Sequence, residues 1–210
     1  MTAYHQLLKA NIIGVRDIIP AYTTVTVVYD ITTIRNKISE SSATLFVRNK
    51  IEEAIQECKQ INNEPANTIE IPVCYHDSLG IDLIKIAEQK NLSIDEIIRM
   101  HTSTAYTVYM LGFLPGFAYM GTVDERIATP RLNTPRTNVK AGSVGIAGNQ
   151  TGIYPLDSPG GWNIIGQTPL KMFDAKKEAP CLLKPGDIIK FVSISIEEFN
   201  RQKLHEHLHK

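Results

Sequence analysis

Apolar and polar residues along the chain follow two periods, and the change from one to the other marks the predicted elements. Over residues 12–29 the period is two. Val25, Val27 and Tyr29 fall on one side and Thr24, Thr26 and Val28 on the other, which is the pattern of a strand. Residues 12–21 and 23–29, joined at Pro20-Ala21-Tyr22, predict a hairpin, and residues 4–10 before them predict the end of an amphipathic helix. After a polar loop the period changes to about 3.6 over residues 42–60, with Leu45, Val47, Ile51, Ala54, Ile55 and Cys58 on one face and Ser41 or Ser42 placed to cap. A linker at 62–67 leads to a strand at 68–75. This α-β-β-α-β order predicts a ferredoxin-like α+β domain without its first strand. The first strand of that arrangement lies mid-sheet, so the chain is expected to be truncated at the N-terminus, with a small sheet that is incomplete, rearranged or completed by another chain.

Two short helices follow, at 81–89 and 93–101. Ser93 with Glu96 three residues on is a capping-box signature. A strand is expected at 105–112, a late strand pair at 181–195 around Lys184-Pro185-Gly186-Asp187, and a polar helix at 197–210. Between these, residues 111–162 hold the densest Gly and Pro of the chain among aromatic and β-branched residues, which predicts short strands joined by shaped loops.

Those loops carry hydrogen-bonding side chains: Arg131, Arg136, Asn149, Gln150, Thr151, Tyr154 and Ser158. Such a set suits a ligand with carboxylate, amide or phosphate oxygens. Arg131 and Arg136 each follow a proline that pins the backbone, and anion recognition and surface ion pairing both fit them. Phe113, Phe117, Tyr119 and Trp162 read as a cleft floor or as core, with Phe113 the better core residue and Trp162, after Gly160-Gly161, the better wall.

Composition narrows the function classes. The 210 residues suit one large domain or two small ones, and Lys plus Arg equals Asp plus Glu at 22 each, so no global field draws the protein to nucleic acid or to a membrane surface. Cys58, Cys74 and Cys181 are odd in number and widely spaced, which predicts reduced thiols in a cytoplasmic protein rather than a disulfide framework or a zinc site. Neither a signal peptide nor an apolar run of spanning length is present. His205-Glu206-His207-Leu208-His209 satisfies a zincin spacing, but it lies in the last six residues with no chain left to wall a cleft, so no metal is assigned. There is no G-x-S-x-G elbow and no phosphate-binding G-x-x-x-x-G-K-[ST], and Gly142, Gly145 and Gly148 have the wrong spacing for a dinucleotide loop.

The strings GFLPGFAYMG, Pro130-Arg131, Pro135-Arg136, AGSVGIAGNQTGIYP and SPGGW, in this order, resemble the allophanate hydrolase subunit 1 family, which includes the 5-oxoprolinase B subunits (PxpB) and the kinase inhibitor KipI. Where the family pattern has Val-Pro-Ala-Gly, this chain has Val139-Lys140-Ala141-Gly142. The resemblance implies a cyclophilin-like β-barrel over residues 102–210, following the ferredoxin-like domain and bridging helices of residues 1–101. It implies ATP-dependent opening of 5-oxoproline to L-glutamate together with partner A and C subunits, with ATP as co-substrate at an atypical or shared site and the chain inactive alone. His101 matches a family histidine and, with Gln150 and Tyr154, is the implied catalytic set. Arg131, Arg136, Gln150, Thr151, Ser158 and Trp162 are the implied substrate-binding set. The same motifs also fit a KipI-like inhibitor of a sensor histidine kinase, or a carboxyltransferase-like module of a urea amidolyase system.

Overall fold

The period-two run does form a hairpin. In the computed structural model, which describes residues 2–38, 42–57 and 68–208, β1 (Val15–Pro20) and β2 (Val25–Tyr29) pair antiparallel. Helix α1 (Thr2–Ala10) precedes them. The polar stretch after β2 is not a loop but α2 (Ile31–Lys37), seven residues long and started by Asp30, whose carboxylate accepts the N–H groups of Thr32 and Thr33. Its ion pair with Arg16 and its bonds to Thr33 hold the Asp30 carboxyl well below the usual range. Helix α3 (Ala43–Glu57) carries the 3.6 period. Its buried side is Ala43, Phe46, Val47 and Ala54, while Leu45 and Ile55, expected inside, are exposed. The Ser42 hydroxyl accepts the Leu45 N–H, which makes Ser42 the cap.

These elements form one unit, residues 1–65, and residues 66–210 form another. The expected boundary near Thr102 therefore falls inside the second unit. The reason is the third strand: β3 (Thr68–Val73) does not join the hairpin but runs parallel to β11 (Ile188–Ser193), residue for residue from Thr68↔Ile188 to Val73↔Ser193. Ile71 and Val73 have no exposed surface and belong to the larger core. Among its described residues the smaller unit has a two-stranded sheet, so the ferredoxin-like arrangement is not what the structure displays there. The expected linker and Cys58 lie outside the described residues.

The larger unit is a mixed α/β fold built on a seven-stranded sheet in the order β10-β7-β8-β5-β4-β11-β3. Its other strands are β4 (Ala105–Leu111), β5 (Ala118–Gly121), β7 (Ser143–Ala147), β8 (Gln150–Ile153) and β10 (Asn163–Gln167). The sheet curls into a half-barrel, consistent with a cyclophilin-like domain. Its two outermost strands approach at one end, where Cys74 and Gln167 exchange two backbone hydrogen bonds of 2.9 and 3.0 Å. A small second sheet pairs β6 (Arg136–Val139) with β9 (Ser158–Gly160). The expected late strand pair is a single strand, β11, with Cys181 in an isolated bridge to Phe173.

Helices α4 (Leu83–Lys90) and α5 (Ile94–Ser103) supply Leu83, Ile86, Ile97 and Met100 to the same buried cluster as Val108, Met120, Val144, Ile146, Ile153 and Phe191 from the sheet. The Ser93 and Glu96 capping box is formed in both directions. Helix α6 (Ile196–Leu208) takes up the polar tail, and the side chains of His207 and His209 lie outside the described residues. Among the described residues no helix is long and apolar enough to cross a membrane.

Candidate functional site

The period of a strand divides the larger sheet into two faces with different neighbours. Ala118 and Met120 of β5, Thr151 and Ile153 of β8, and Val144 and Ile146 of β7 are mutual partners in the ladder and face the helix-covered core. The residues between them, Tyr119, Gln150, Gly152, Gly145 and Ala147, face the other way. On that second face Gly145 and Gly152 are opposite each other, and a Cβ on either would come within 3.1 Å of Trp162. The two missing side chains let the indole lie directly on the sheet. Phe117, Tyr154, Trp162 and Ile164 form the buried cluster there, with Tyr119 partly exposed at its margin. Phe117 meets Tyr154 and Trp162 edge-on at 5.2 and 5.4 Å between centroids, a geometry each pair gains from by about 0.5–1.5 kcal/mol. Gly152→Val is expected to force the indole off this floor and to destabilise the unit by about 2 kcal/mol through overpacking. Urea unfolding, followed by the fluorescence of the single tryptophan, checks both effects.

The loop between β4 and β5 builds the rim. The Leu114 N–H bonds the Gly112 carbonyl at 2.8 Å around Phe113, whose φ is 69°, so Phe113 is the centre of a γ-turn of the rarer, strained hand. A second turn follows at once: the Phe117 N–H bonds the Leu114 carbonyl at 3.0 Å, with Pro115 and then Gly116 at φ 82°, a type II turn spelled out by Leu-Pro-Gly-Phe. These turns hold the Phe113 ring edge-on to Phe117 and Tyr154 with 61% of the residue exposed. The sequence expectation is thus reversed: Phe113 stands in solvent at the rim and Trp162, 4% exposed, is the floor.

The predicted site residues separate into those on this face and those elsewhere. Arg131 is exposed, with its guanidinium carbon 5.8 Å from the Trp162 ring centroid. Tyr154 is buried in the floor; burial raises its phenol pKa, against the pull of the Trp162 backbone and of Arg131 and Arg136. Burial likewise raises Tyr119, and Arg131 again opposes it. Gln150 is half-buried on the same face as Tyr119, and among the described residues its side-chain amide has no hydrogen-bond partner. Ser158 is buried on β9, its hydroxyl turned to the Pro159 carbonyl at 3.2 Å.

Three predicted residues leave the site. Thr151, next to Gln150, necessarily points to the opposite face, where its hydroxyl is 3.1 Å from the Gly145 carbonyl. Arg136 is bound to Asp82 at 2.6 Å and is spent on an ion pair whose carboxylate is buried and whose arginine side chain is partly exposed. His101 has no exposed surface: Nδ1 is 2.7 Å from the Tyr75 hydroxyl, Nε2 is 2.9 Å from Thr151 Oγ1, and the ring stacks on Phe191 at 4.5 Å. With the Thr151 hydroxyl donating to Gly145, the network assigns the proton to Nε2, and Nδ1 accepts from Tyr75. Burial lowers the imidazole pKa to about 3, so the ring is neutral. General acid or base work requires reach of a ligand, and both nitrogens are already engaged inside the core. His101 is a core hydrogen-bonding residue rather than part of this face.

Sequence reasoning missed Asp82. It sits at the start of α4 but does not cap it: one carboxylate oxygen takes Arg136 and the other takes the Ile164 N–H at 2.6 Å. Its partners are 54 and 82 residues away, beyond any local signal.

What remains on the face is an aromatic floor with a guanidinium, an amide and a phenol at its edge. Such a face binds and polarises oxygen atoms, and among the described residues the cluster holds no carboxylate or free imidazole to serve as a base.

The family described as carboxyltransferase domain, subdomain C and D, matches residues 1–183. The chain belongs to that family. Among its relatives, the 5-oxoprolinase B subunit of Bacillus subtilis (strain 168) is 43% identical over 192 residues, which cover 90% of this chain and 80% of the relative. The 5-oxoprolinase B subunit of Escherichia coli O157:H7 is 50% identical over 124 residues, 59% of this chain and 57% of the relative, so there the chain spans just over half of the relative's length. A conserved uncharacterized protein from Pyrococcus horikoshii has a solved structure that matches 94% of this chain and 87% of its own, at 42% identity and a TM-score of 0.61.

Proposed function

We propose that this chain is the B subunit of an ATP-dependent 5-oxoprolinase, which opens 5-oxoproline to L-glutamate together with A and C subunits. The observation that carries this reading is the 43% identity, over 90% of the chain, with a 5-oxoprolinase B subunit. The open face fits a supporting rather than a self-sufficient role. A five-membered lactam is a resistant amide, and its carbonyl becomes attackable once its oxygen is phosphorylated by ATP. Gln150 and Tyr119 present hydrogen-bond donors that would orient such a ring, while the nucleophile's base and the nucleotide site come wholly or partly from the partner subunits.

The test is ATP-dependent glutamate release from 5-oxoproline by this chain mixed with A and C homologues, each omitted in turn. Release should vanish without this chain, and Gln150→Ala should lower kcat/KM by about 10- to 100-fold. Turnover that persists in the absence of this chain sinks the reading. The family description itself favours a second one, a carboxyltransferase-like module, which predicts instead that the chain supports carboxyl transfer to a urea-like amide with biotin-dependent partners.

A further inference from the structure

Arg131 is placed differently from the arginines around it. Arg136 is tied to Asp82 and Arg126 to Asp124, whereas Arg131 has no carboxylate within ion-pair distance among the described residues. Its guanidinium instead lies over the indole of Trp162, close enough for its charge to be felt at both Tyr119 and Tyr154. A guanidinium resting against an aromatic face, with no hydrogen-bond partner of its own among the described residues, keeps N–H groups free to meet a carboxylate through two parallel hydrogen bonds. Two further residues of this face define the rest of the ligand. Phe113 is kept 61% exposed by a strained backbone, which the fold maintains at an apolar rim. Gln150, on the same face as Tyr119, has an amide with no partner among the described residues. An apolar rim, a free amide and an uncompensated cation together describe a small, flat ligand with an amide group and a negative charge.

We propose that Arg131 is the anion anchor of this face and its main specificity determinant, pairing with the carboxylate of a small cyclic amide and so selecting carboxylate-bearing lactams over neutral ones. The choice of a lactam ring rests on the 5-oxoprolinase reading; the charge preference rests on Arg131 alone.

Trp162 is the single tryptophan of the chain, so intrinsic fluorescence reports directly on the site. The full chain is titrated at constant ionic strength with 5-oxoproline and with 2-pyrrolidinone, the same ring without its carboxylate. The expected result is a saturable response to 5-oxoproline and binding of 2-pyrrolidinone at least about tenfold weaker, the effect of losing one charge-assisted contact. Arg131→Gln should weaken 5-oxoproline to the level of 2-pyrrolidinone while leaving 2-pyrrolidinone unchanged, and Arg131→Lys should keep part of the preference. A merely structural role would weaken both ligands alike. Equal affinities in the unaltered chain, an Arg131→Gln variant that titrates like it, or no saturable response to 5-oxoproline overturns the proposal. Turnover with the partner subunits separates the two ideas. If the reconstituted mixture is inactive while the titration still discriminates, the anchor stands and the 5-oxoprolinase reading falls. If Arg131→Gln leaves the KM for 5-oxoproline unchanged in an active mixture, the reading stands and the anchor falls.

Discussion

Lowering the pH from 7 to 5 is expected to remove about 2 kcal/mol of stability from the larger unit, and the loss should trace to one buried side chain. His101 has a folded-state pKa of about 3 against 6.5 for a free histidine. The cause is burial: the ring lies among Tyr75, Tyr106, Phe191 and Thr151, with no carboxylate in hydrogen-bond contact among the described residues. Because the folded value is the lower one, the unfolded chain binds the extra proton below pH 6.5 and the folded chain does not. The stabilisation is therefore complete above about pH 6.5 and declines by about 1.4 kcal/mol per pH unit as pH falls toward 3, an upper limit of about 4–5 kcal/mol. Between pH 7 and 5 most carboxylates stay ionised, so the window isolates histidine. Urea midpoints measured across it for the unaltered chain and for His101→Gln check the assignment. The variant should be less stable at pH 7, because Tyr75 loses its acceptor, but its midpoint should be nearly flat with pH. A variant whose pH slope equals that of the unaltered chain would place the titrating group elsewhere.

How much of this is legible in the sequence depends on how local each signal is. The β1–β2 hairpin, the helix at α3 and the Ser93–Glu96 box are short-range patterns, and each forms where its residues predict, although the α3 period puts Leu45 and Ile55 on the wrong side of the helix. Helix α2 is hidden in the sequence because Ile31, Thr32, Thr33 and Ile34 are β-branched residues of low helix propensity; the Asp30 cap is the available signal. Strand β3 is legible as a strand but not as a member of the larger sheet, since alternation identifies a strand and not its partner. The same limit applies at the site. Gln150 and Thr151 look like one binding pair, yet adjacent strand residues face opposite ways, and only the ladder register decides which faces the aromatic floor. Phe113 and Trp162 exchange roles because exposure depends on the two consecutive turns at residues 112–117 and on the glycines beneath the indole, not on the ring's own apolarity. Nothing near Arg136 in sequence announces Asp82, so its reassignment from ligand binding to structure comes from the fold.

That ion pair carries the other large expected effect. Replacing Asp82 by Ala should destabilise the larger unit by about 3–4 kcal/mol, although the residue lies at a helix start where a lost cap costs about 1 kcal/mol. The difference arises because the carboxylate serves two donors from two other elements. Its side chain is 5% exposed, and the Arg136 side chain, 28% exposed, also reaches the Trp162 carbonyl with its guanidinium at 3.5 Å. Removing Asp82 leaves a partly buried cation without its counter-charge and the Ile164 N–H without an acceptor, on the strand that follows the floor tryptophan. Asn is no remedy, since its one carbonyl oxygen can serve one donor while its amide N–H₂ faces the other. A double-mutant cycle with Arg136→Met separates charge from packing. If the pair is the cause, Asp82→Ala in the Arg136→Met background should cost at least about 1 kcal/mol less than in the unaltered chain, because no stranded cation is left. Additive costs would mean that Asp82 acts through the Ile164 N–H alone, and that Arg136 remains available for another role.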